Sequence, residues 1–97
     1  MAKKAQVYDP TEFLKDAESQ AELLADAFST GDAGHIADAI GLVAKAKGIT
    51  EVARNAALTR ATLYKAFSKD GDPRLTTLTK TLKALNFELT VKTLDPA

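Results

Sequence analysis

The chain has 97 residues, 45% of them hydrophobic and 27% charged, which fits one folded domain and argues against a disordered chain. It has no Cys, which excludes disulfides and thiolate metal sites, and its only His has no second ligand at metal-binding spacing. The net charge is zero, but residues 1–40 hold eight Asp/Glu and three Lys/Arg, whereas residues 41–97 hold five and ten.

The first third of the chain predicts two short helices with a break between them. The sequence DPTE at residues 9–12 has the order of an N-cap, a first-turn proline and a capping-box acid. Ser19 and Glu22 repeat the capping-box spacing, so we expect the break near residues 16–19. The second helix carries a predicted apolar stripe that consists of Ala21, Leu24 and Phe28. Gly31 is expected to end the pair.

A third helix is predicted between Asp32, a candidate N-cap, and Gly48, a candidate stop. Its buried face is expected to follow a spacing of four, three and three residues, at Ile36, Ile40, Val43 and Ala46.

Residues 50–68 predict two short helices joined by a tight turn, with Thr50 and Thr59 as their N-caps. Ala53 is small enough to lie where the second helix crosses the first, and Leu58 can fill the space beneath the turn. This arrangement is typical of a helix-turn-helix unit.

The end of the chain changes from a helical to a strand-like period. Four leucines predict an amphipathic helix: Leu75, Leu78, Leu82 and Leu85. Asn86 is a candidate left-handed stop. Apolar residues then alternate with polar ones, which predicts a strand whose apolar side is Phe87, Leu89 and Val91. Since a lone strand cannot satisfy its backbone, we expect it to pair with a second subunit, another protein or residues 5–8.

The second short helix of residues 50–68 is predicted to expose a small, polar and cationic face. At about 100° per residue, Leu63, Ala66 and Phe67 form its inner stripe. Ala61, Lys65 and Ser68 fall on the opposite face, with Thr62 and Tyr64 beside it. Thr59 and Arg60 lie at the start of the helix and Lys69 follows its end. These eight are the candidate DNA-binding residues. Such a face fits the major groove, where Arg60 can reach a guanine edge or a phosphate.

These candidates have alternative interpretations. Arg60 and Lys65 can be ordinary surface charges, and Tyr64 can pack on the leucine-rich helix instead of touching DNA. Thr59 caps its helix in either case. The neighbouring cations Lys45, Lys47 and Arg54 are expected to be solvated or to steer phosphates.

Residues 49–68, ITEVARNAALTRATLYKAFS, resemble the helix-turn-helix of the lambda-repressor-like (Cro/C1-type) class. Over about residues 7–94 the chain is similar to the HigA-like addiction-module antidote proteins of bacteria. The similarity lies in the start YDPTEFL, the segment GITEVARNAALTRATLYKAFS, the loop DGDPRL and the tail LTKTLKALNFELTV. One residue departs from the class, because Ala57 stands where Gly is usual. If this position needs a positive φ, Ala costs roughly 1 kcal/mol.

The resemblance implies a mainly all-α fold, a lambda-repressor-like bundle of about five to six helices with a C-terminal β-strand used in dimerisation. Residues 1–32 are expected to form an acidic helical extension packed on the core, and residues 33–97 the helix-turn-helix domain with its strand, within one structural domain. The implied function is that of a type II antitoxin. It would neutralise a RelE/ParE-like toxin and repress its own operon as a homodimer on an inverted repeat in double-stranded DNA.

Two other functions stay open: a stand-alone, prophage-type transcriptional regulator, and a toxin-binding module with weak DNA binding. The acidic first half suits a cationic toxin. An enzyme is not supported, because no acid–base pair, nucleophile arrangement, phosphate loop or metal spacing is present. We therefore expect no catalytic residue, metal, cofactor or small-molecule substrate. With neither a signal-like apolar run nor a membrane-length segment, the expected location is the cytoplasm.

Overall fold

The computed structural model describes residues 10–95, which contain helices and no β-strand. The elements in chain order are a 3₁₀ helix at Pro10–Phe13 and the α-helices α1 (Ala17–Thr30), α2 (Ala33–Lys47), α3 (Ile49–Ala56), α4 (Arg60–Ala66) and α5 (Leu75–Ala84). The predicted mainly-α class is confirmed, with a helix count inside the expected range. The predicted cap Asp9 and the segment 5–8 lie outside the described residues. Within residues 10–95, no helix is both long and apolar enough to span a membrane.

Helix α2 lies at the centre of the bundle. The 3₁₀ helix, α1, α3 and α4 all pack against it, whereas α5 packs on α3. Ile40 and Val43 are fully buried, as predicted. The predicted face was too narrow, because Ile36 and Ala46 are only partly buried while four other small residues, Ala37, Ala39, Gly41 and Ala44, are buried. A helix contacted from several sides needs more than one apolar stripe.

The N-caps of two helices differ from the prediction. The break before α1 is present, but Asp16 is the cap, and its carboxylate accepts a hydrogen bond from the Ser19 amide at 2.7 Å. Hydrogen bonds from the Ser19 amide and hydroxyl lower the pKa of Asp16. Helix α3 begins after Gly48, so Thr50 lies inside its first turn. Both N-caps therefore lie earlier in the chain than predicted, at Asp16 instead of Ser19 and at Gly48 instead of Thr50.

The buried side of α1 includes a polar residue that the apolar pattern did not reveal. Gln20, Leu24 and Ala27 are buried, and Ala21 is exposed. The Gln20 amide donates to the Leu14 carbonyl at 2.8 Å, which satisfies the donor side of a group that would otherwise be costly to bury.

Helices α3 and α5 end in the same way. After α3, the Leu58 amide donates to the Ala53 carbonyl at 2.9 Å, and Ala57 has φ 59°. After α5, the Phe87 amide donates to the Leu82 carbonyl at 2.8 Å, and Asn86 has φ 69°. This is the Schellman arrangement, in which a left-handed residue lets the chain turn and an apolar residue follows. The left-handed conformation predicted for Asn86 is confirmed. Ala57 also has a positive φ, so the predicted steric cost of roughly 1 kcal/mol applies to it.

The predicted strand is absent from the structure. Residues 87–95 have no regular secondary structure, because a strand needs a neighbouring edge and residues 10–95 offer none. The start of this tail is fixed by Lys47. The Lys47 ammonium donates to the Leu85 carbonyl at 2.6 Å and lies 5.3 Å from the centre of the Phe87 ring. Lys47 is exposed, as expected of a solvated cation, and these contacts add a structural role that was not predicted.

Replacing Ala57 with Gly should stabilise the fold. Gly removes the steric penalty of the left-handed conformation, so we expect the free energy of unfolding to rise by about 1 kcal/mol in urea denaturation. The matched control is Ala25→Gly, an exposed position inside α1. There the same substitution should lower stability by about 0.5–1 kcal/mol. Equal or lower stability of Ala57→Gly would contradict the strained turn.

Replacing Thr81 with Val should also stabilise the fold. Thr81 is completely buried and its hydroxyl has no hydrogen-bond partner within residues 10–95. Val has nearly the same shape without the unpaired polar group, so thermal or urea unfolding should show a gain of about 1 kcal/mol. The control Thr79→Val removes an exposed hydroxyl from the same helix and should change stability by less than about 0.5 kcal/mol. A loss of stability in Thr81→Val would show that the hydroxyl has an unrecognised partner.

Candidate nucleic-acid interface

Helices α3 and α4 are joined by the three-residue turn that the sequence predicted. Ala53 is buried, with 4% exposure, and Leu58 is partly buried against the core, as their predicted roles require. The two helices pack directly on each other and on α2. The α3–turn–α4 unit is therefore held against the centre of the bundle.

Two glycines of α2 set the position of α4. A methyl group at Gly41 would collide with the Phe67 carbonyl oxygen, and one at Gly34 would lie 2.6 Å from the Lys69 carbonyl oxygen. Because Gly34 and Gly41 are seven residues apart, they share one face of α2. The chain that leaves α4 thus lies with its backbone directly on that face. The role of these glycines was not predicted, although their spacing of seven residues is visible in the sequence.

The side chains of α4 separate into an anchoring side and an exposed side. Leu63 and Phe67 are 1% and 4% exposed, which confirms the predicted inner stripe. Tyr64 is 50% exposed, so the alternative that places it in the core is wrong. Helix α4 ends at Ala66, and Ser68 lies beyond it, partly buried, with its hydroxyl donating to the Lys65 carbonyl at 3.4 Å.

The N-terminus of α4 is closed by threonines. Thr59 is the N-cap, as predicted, and its hydroxyl accepts from the Thr62 amide at 3.0 Å. The same hydroxyl donates to the Thr62 hydroxyl at 2.8 Å. The Thr59 hydroxyl therefore uses its hydrogen and one of its two acceptor lone pairs inside the chain. Thr62, which is exposed, keeps its own hydroxyl hydrogen for a ligand.

The basic residues around α4 differ in whether they form a salt bridge. Arg60, Lys65 and Lys69 are exposed and form no salt bridge within residues 10–95. Arg54 on α3 is paired with Glu51, with nitrogen–oxygen distances of 2.9 and 3.1 Å. The unpaired cations on and after α4 are thus the ones that can meet an anion without first breaking an ion pair.

The predicted dimerisation residues lie in different environments. Phe87 packs against the core beneath Lys47, Leu89 is 41% exposed, and Val91 is 97% exposed. Leu94, further along the tail, is 87% exposed. The tail therefore presents apolar side chains that residues 10–95 do not cover.

Residues 10–95 contain no cluster that could hold a metal ion, since no three of their His, Cys, Asp or Glu side chains lie together. The site chemistry is that of hydroxyls, methyl groups and cations on a helix surface. Such groups suit contacts with phosphates and base edges rather than covalent or metal chemistry.

The comparisons with known proteins identify the class of this chain. It belongs to the family of probable addiction module antidote proteins, whose model matches residues 4–93. An uncharacterised protein of Haemophilus influenzae (strain ATCC 51907 / DSM 11121 / KW20 / Rd) is 32% identical over 92 residues, which is 95% of each chain. No solved structure matches the chain significantly. Antidote proteins are not enzymes, in agreement with the prediction, and the family implies a toxin as partner.

Proposed function

We propose that the chain is a DNA-binding antitoxin of a type II toxin–antitoxin module. It neutralises a RelE/ParE-like toxin in the cytoplasm and represses its own operon as a homodimer on an inverted repeat. One observation carries the DNA-binding half: α4 exposes Arg60 at its N-terminal end and Thr62 and Lys65 on its outer side, while Leu63 and Phe67 anchor its inner side. The antidote family supports the toxin-neutralising half.

The exposed face of α4 suits the major groove of DNA. Arg60, at the first position of the helix, can bond a guanine edge or a phosphate from the N-terminal end of α4. Lys65 lies on the outer face, opposite Leu63. Ala61 and the Thr62 methyl group can contact a thymine methyl. Tyr64 and Lys69 flank this face and can bond phosphates. Together with α3 and the turn, this arrangement supports a lambda-repressor-like (Cro/C1-type) helix-turn-helix.

The charge of the chain argues for two copies on the DNA. With zero net charge, one subunit can neutralise only a few phosphates, and affinity depends strongly on how many are neutralised. A two-fold dimer doubles the phosphate and base contacts and matches an inverted repeat. Val91 in the tail, which is 97% exposed, supports this proposal, since a second tail can cover it and supply the missing strand edge.

Arg60→Ala should abolish sequence-specific DNA binding. In a selection from random DNA duplexes at physiological salt, wild type should enrich an inverted repeat with about one helical turn between half-sites. The variant should enrich none, because each half-site loses about 1–3 kcal/mol. The control Lys15→Ala also removes one positive charge, but from a side chain paired with Glu12 at the acidic end of the chain, and should behave as wild type.

Full enrichment by Arg60→Ala would show that α4 does not read the bases. Enrichment of the same repeat with uniformly weaker affinity would place Arg60 on a phosphate. If wild type enriches nothing, the DNA-binding half of the proposal fails.

Val91→Asp should convert the dimer into a monomer. Sedimentation of wild type at micromolar concentration should give twice the mass of the 10.3 kDa chain, and the variant should give a single mass, because a carboxylate would be buried in the tail interface. The control Thr76→Asp adds the same charge to an exposed position in the first turn of α5 and should remain dimeric. A dimeric Val91→Asp, or a monomeric wild type, would remove the tail as the dimer contact.

The exposed carboxylates of α1, Glu18, Glu22 and Asp26, favour a second function. This function is a toxin-binding module that binds DNA weakly. Copurification with a toxin, combined with no enriched DNA, would select this function. Enriched DNA without any toxin partner would select a stand-alone regulator.

A further inference from the structure

An apolar groove lies between α1 and the C-terminal tail. Its volume is about 610 Å³, and most of its lining is apolar, including Ala21, Ala25 and Phe28 from α1, Leu82 from α5, and Leu89 and Leu94 from the tail. Ala21, Ala25, Leu89 and Leu94 are exposed. No residue of α3 or α4 lines the groove, so it is separate from the proposed DNA interface.

A row of carboxylates lies on α1 beside the α1 residues that line this groove, although the carboxylates are not part of the lining. Glu18, Glu22 and Asp26 follow each other at intervals of four residues, which places them on one face of α1 next to Ala25. All three are exposed, and none forms a salt bridge within residues 10–95. Like charges at this spacing destabilise a helix, so the row has a cost that a cationic partner would relieve.

The tail side of the groove is mixed in charge. Glu88 and Lys92 both line it and nearly balance each other. Since the lining itself is balanced, the carboxylates of α1 leave an excess of negative charge beside the groove. An occupant that complements it has an apolar face to fill the groove and cations along the edge that meets α1.

We propose that this groove binds the toxin, through a toxin segment with an apolar face bordered by Lys or Arg. The inference rests on the proposed function, since it takes the partner to be an RNA-cleaving toxin. A protein that binds RNA needs a cationic surface to meet the phosphates. A groove with an acidic border can engage such a surface and compete with RNA for it.

The position of the groove has a consequence for the complex. Since the groove and α4 share no residue, toxin and DNA can occupy the same chain at the same time. A toxin bound at the groove would then remain on the operator together with the antitoxin.

The test measures binding of the purified product of the adjoining gene to three versions of the full chain by calorimetry. The first is wild type, and the second is Glu18→Gln/Glu22→Gln/Asp26→Asn. The third is the control Asp38→Asn/Asp70→Asn/Asp72→Asn, which removes three exposed carboxylates from other parts of the chain. The α1 variant should bind about tenfold or more weakly at low salt, with a smaller difference at high salt, and the control should match wild type.

A second variant tests the apolar part of the groove. Ala25→Arg places a long cationic side chain at an exposed position and should fold normally. It should weaken toxin binding at every salt concentration, because it fills the groove. In amide NMR spectra, toxin should shift the signals of Ala21, Ala25, Phe28 and Leu89, and the operator DNA those of α4.

Each other outcome overturns the inference. If the toxin binds both variants as tightly as wild type, it binds elsewhere and the proposed function stands without the groove. If it binds no version of the chain, the proposed toxin neutralisation is wrong. The selection from random DNA duplexes still tests the DNA-binding half of the proposed function independently. If free wild type is a dimer and Ala25→Arg makes it a monomer, a second copy occupies the groove instead.

Discussion

The approach of two backbones at Gly41 is the contact on which the rest of the structure depends. Helix α2 is the centre of the bundle, and only a residue without a side chain lets the Phe67 carbonyl come so close to it. This contact, with the similar one at Gly34, fixes the end of α4, and the buried Leu63 fixes its middle. The exposed face of α4 is therefore oriented by main-chain packing, which leaves its outward side chains free to vary without disturbing the core.

The opposite charges of the two halves of the chain correspond to separate places in the structure. The acidic row lies on α1, whereas the unpaired cations Arg60 and Lys65 lie on α4. Helix α2 lies between them, since both α1 and α4 pack on it. A zero net charge thus hides two surfaces of opposite sign, which is the arrangement expected of a protein that meets both a polyanion and a cationic partner.

Much of the fold could be predicted because the deciding interactions are local. The caps Asp32 and Thr59, the stop Gly31 and the left-handed Asn86 all depend on residues a few positions away. The prediction of a C-terminal strand was wrong, because a strand needs a neighbouring strand edge and residues 10–95 contain none. The burial of Gln20 was not predicted, because it depends on a hydrogen bond from the Gln20 amide to the Leu14 carbonyl, which no apolar pattern encodes. For the candidate site, the exposed face of α4 follows from periodicity, but the groove depends on how the tail lies beside α1.

The packing around α2 also bears on how fast the chain folds. Helices that adjoin in sequence pack on each other along α1, α2, α3 and α4. The other main contacts each skip a single helix: the 3₁₀ helix with α2, α2 with α4, and α3 with α5. Such short-range topology requires little loop closure before contacts form, and helical domains of this kind fold on the order of microseconds to milliseconds. A chain that has been unfolded would regain its bundle within that time, without waiting for a distant segment to find its partner.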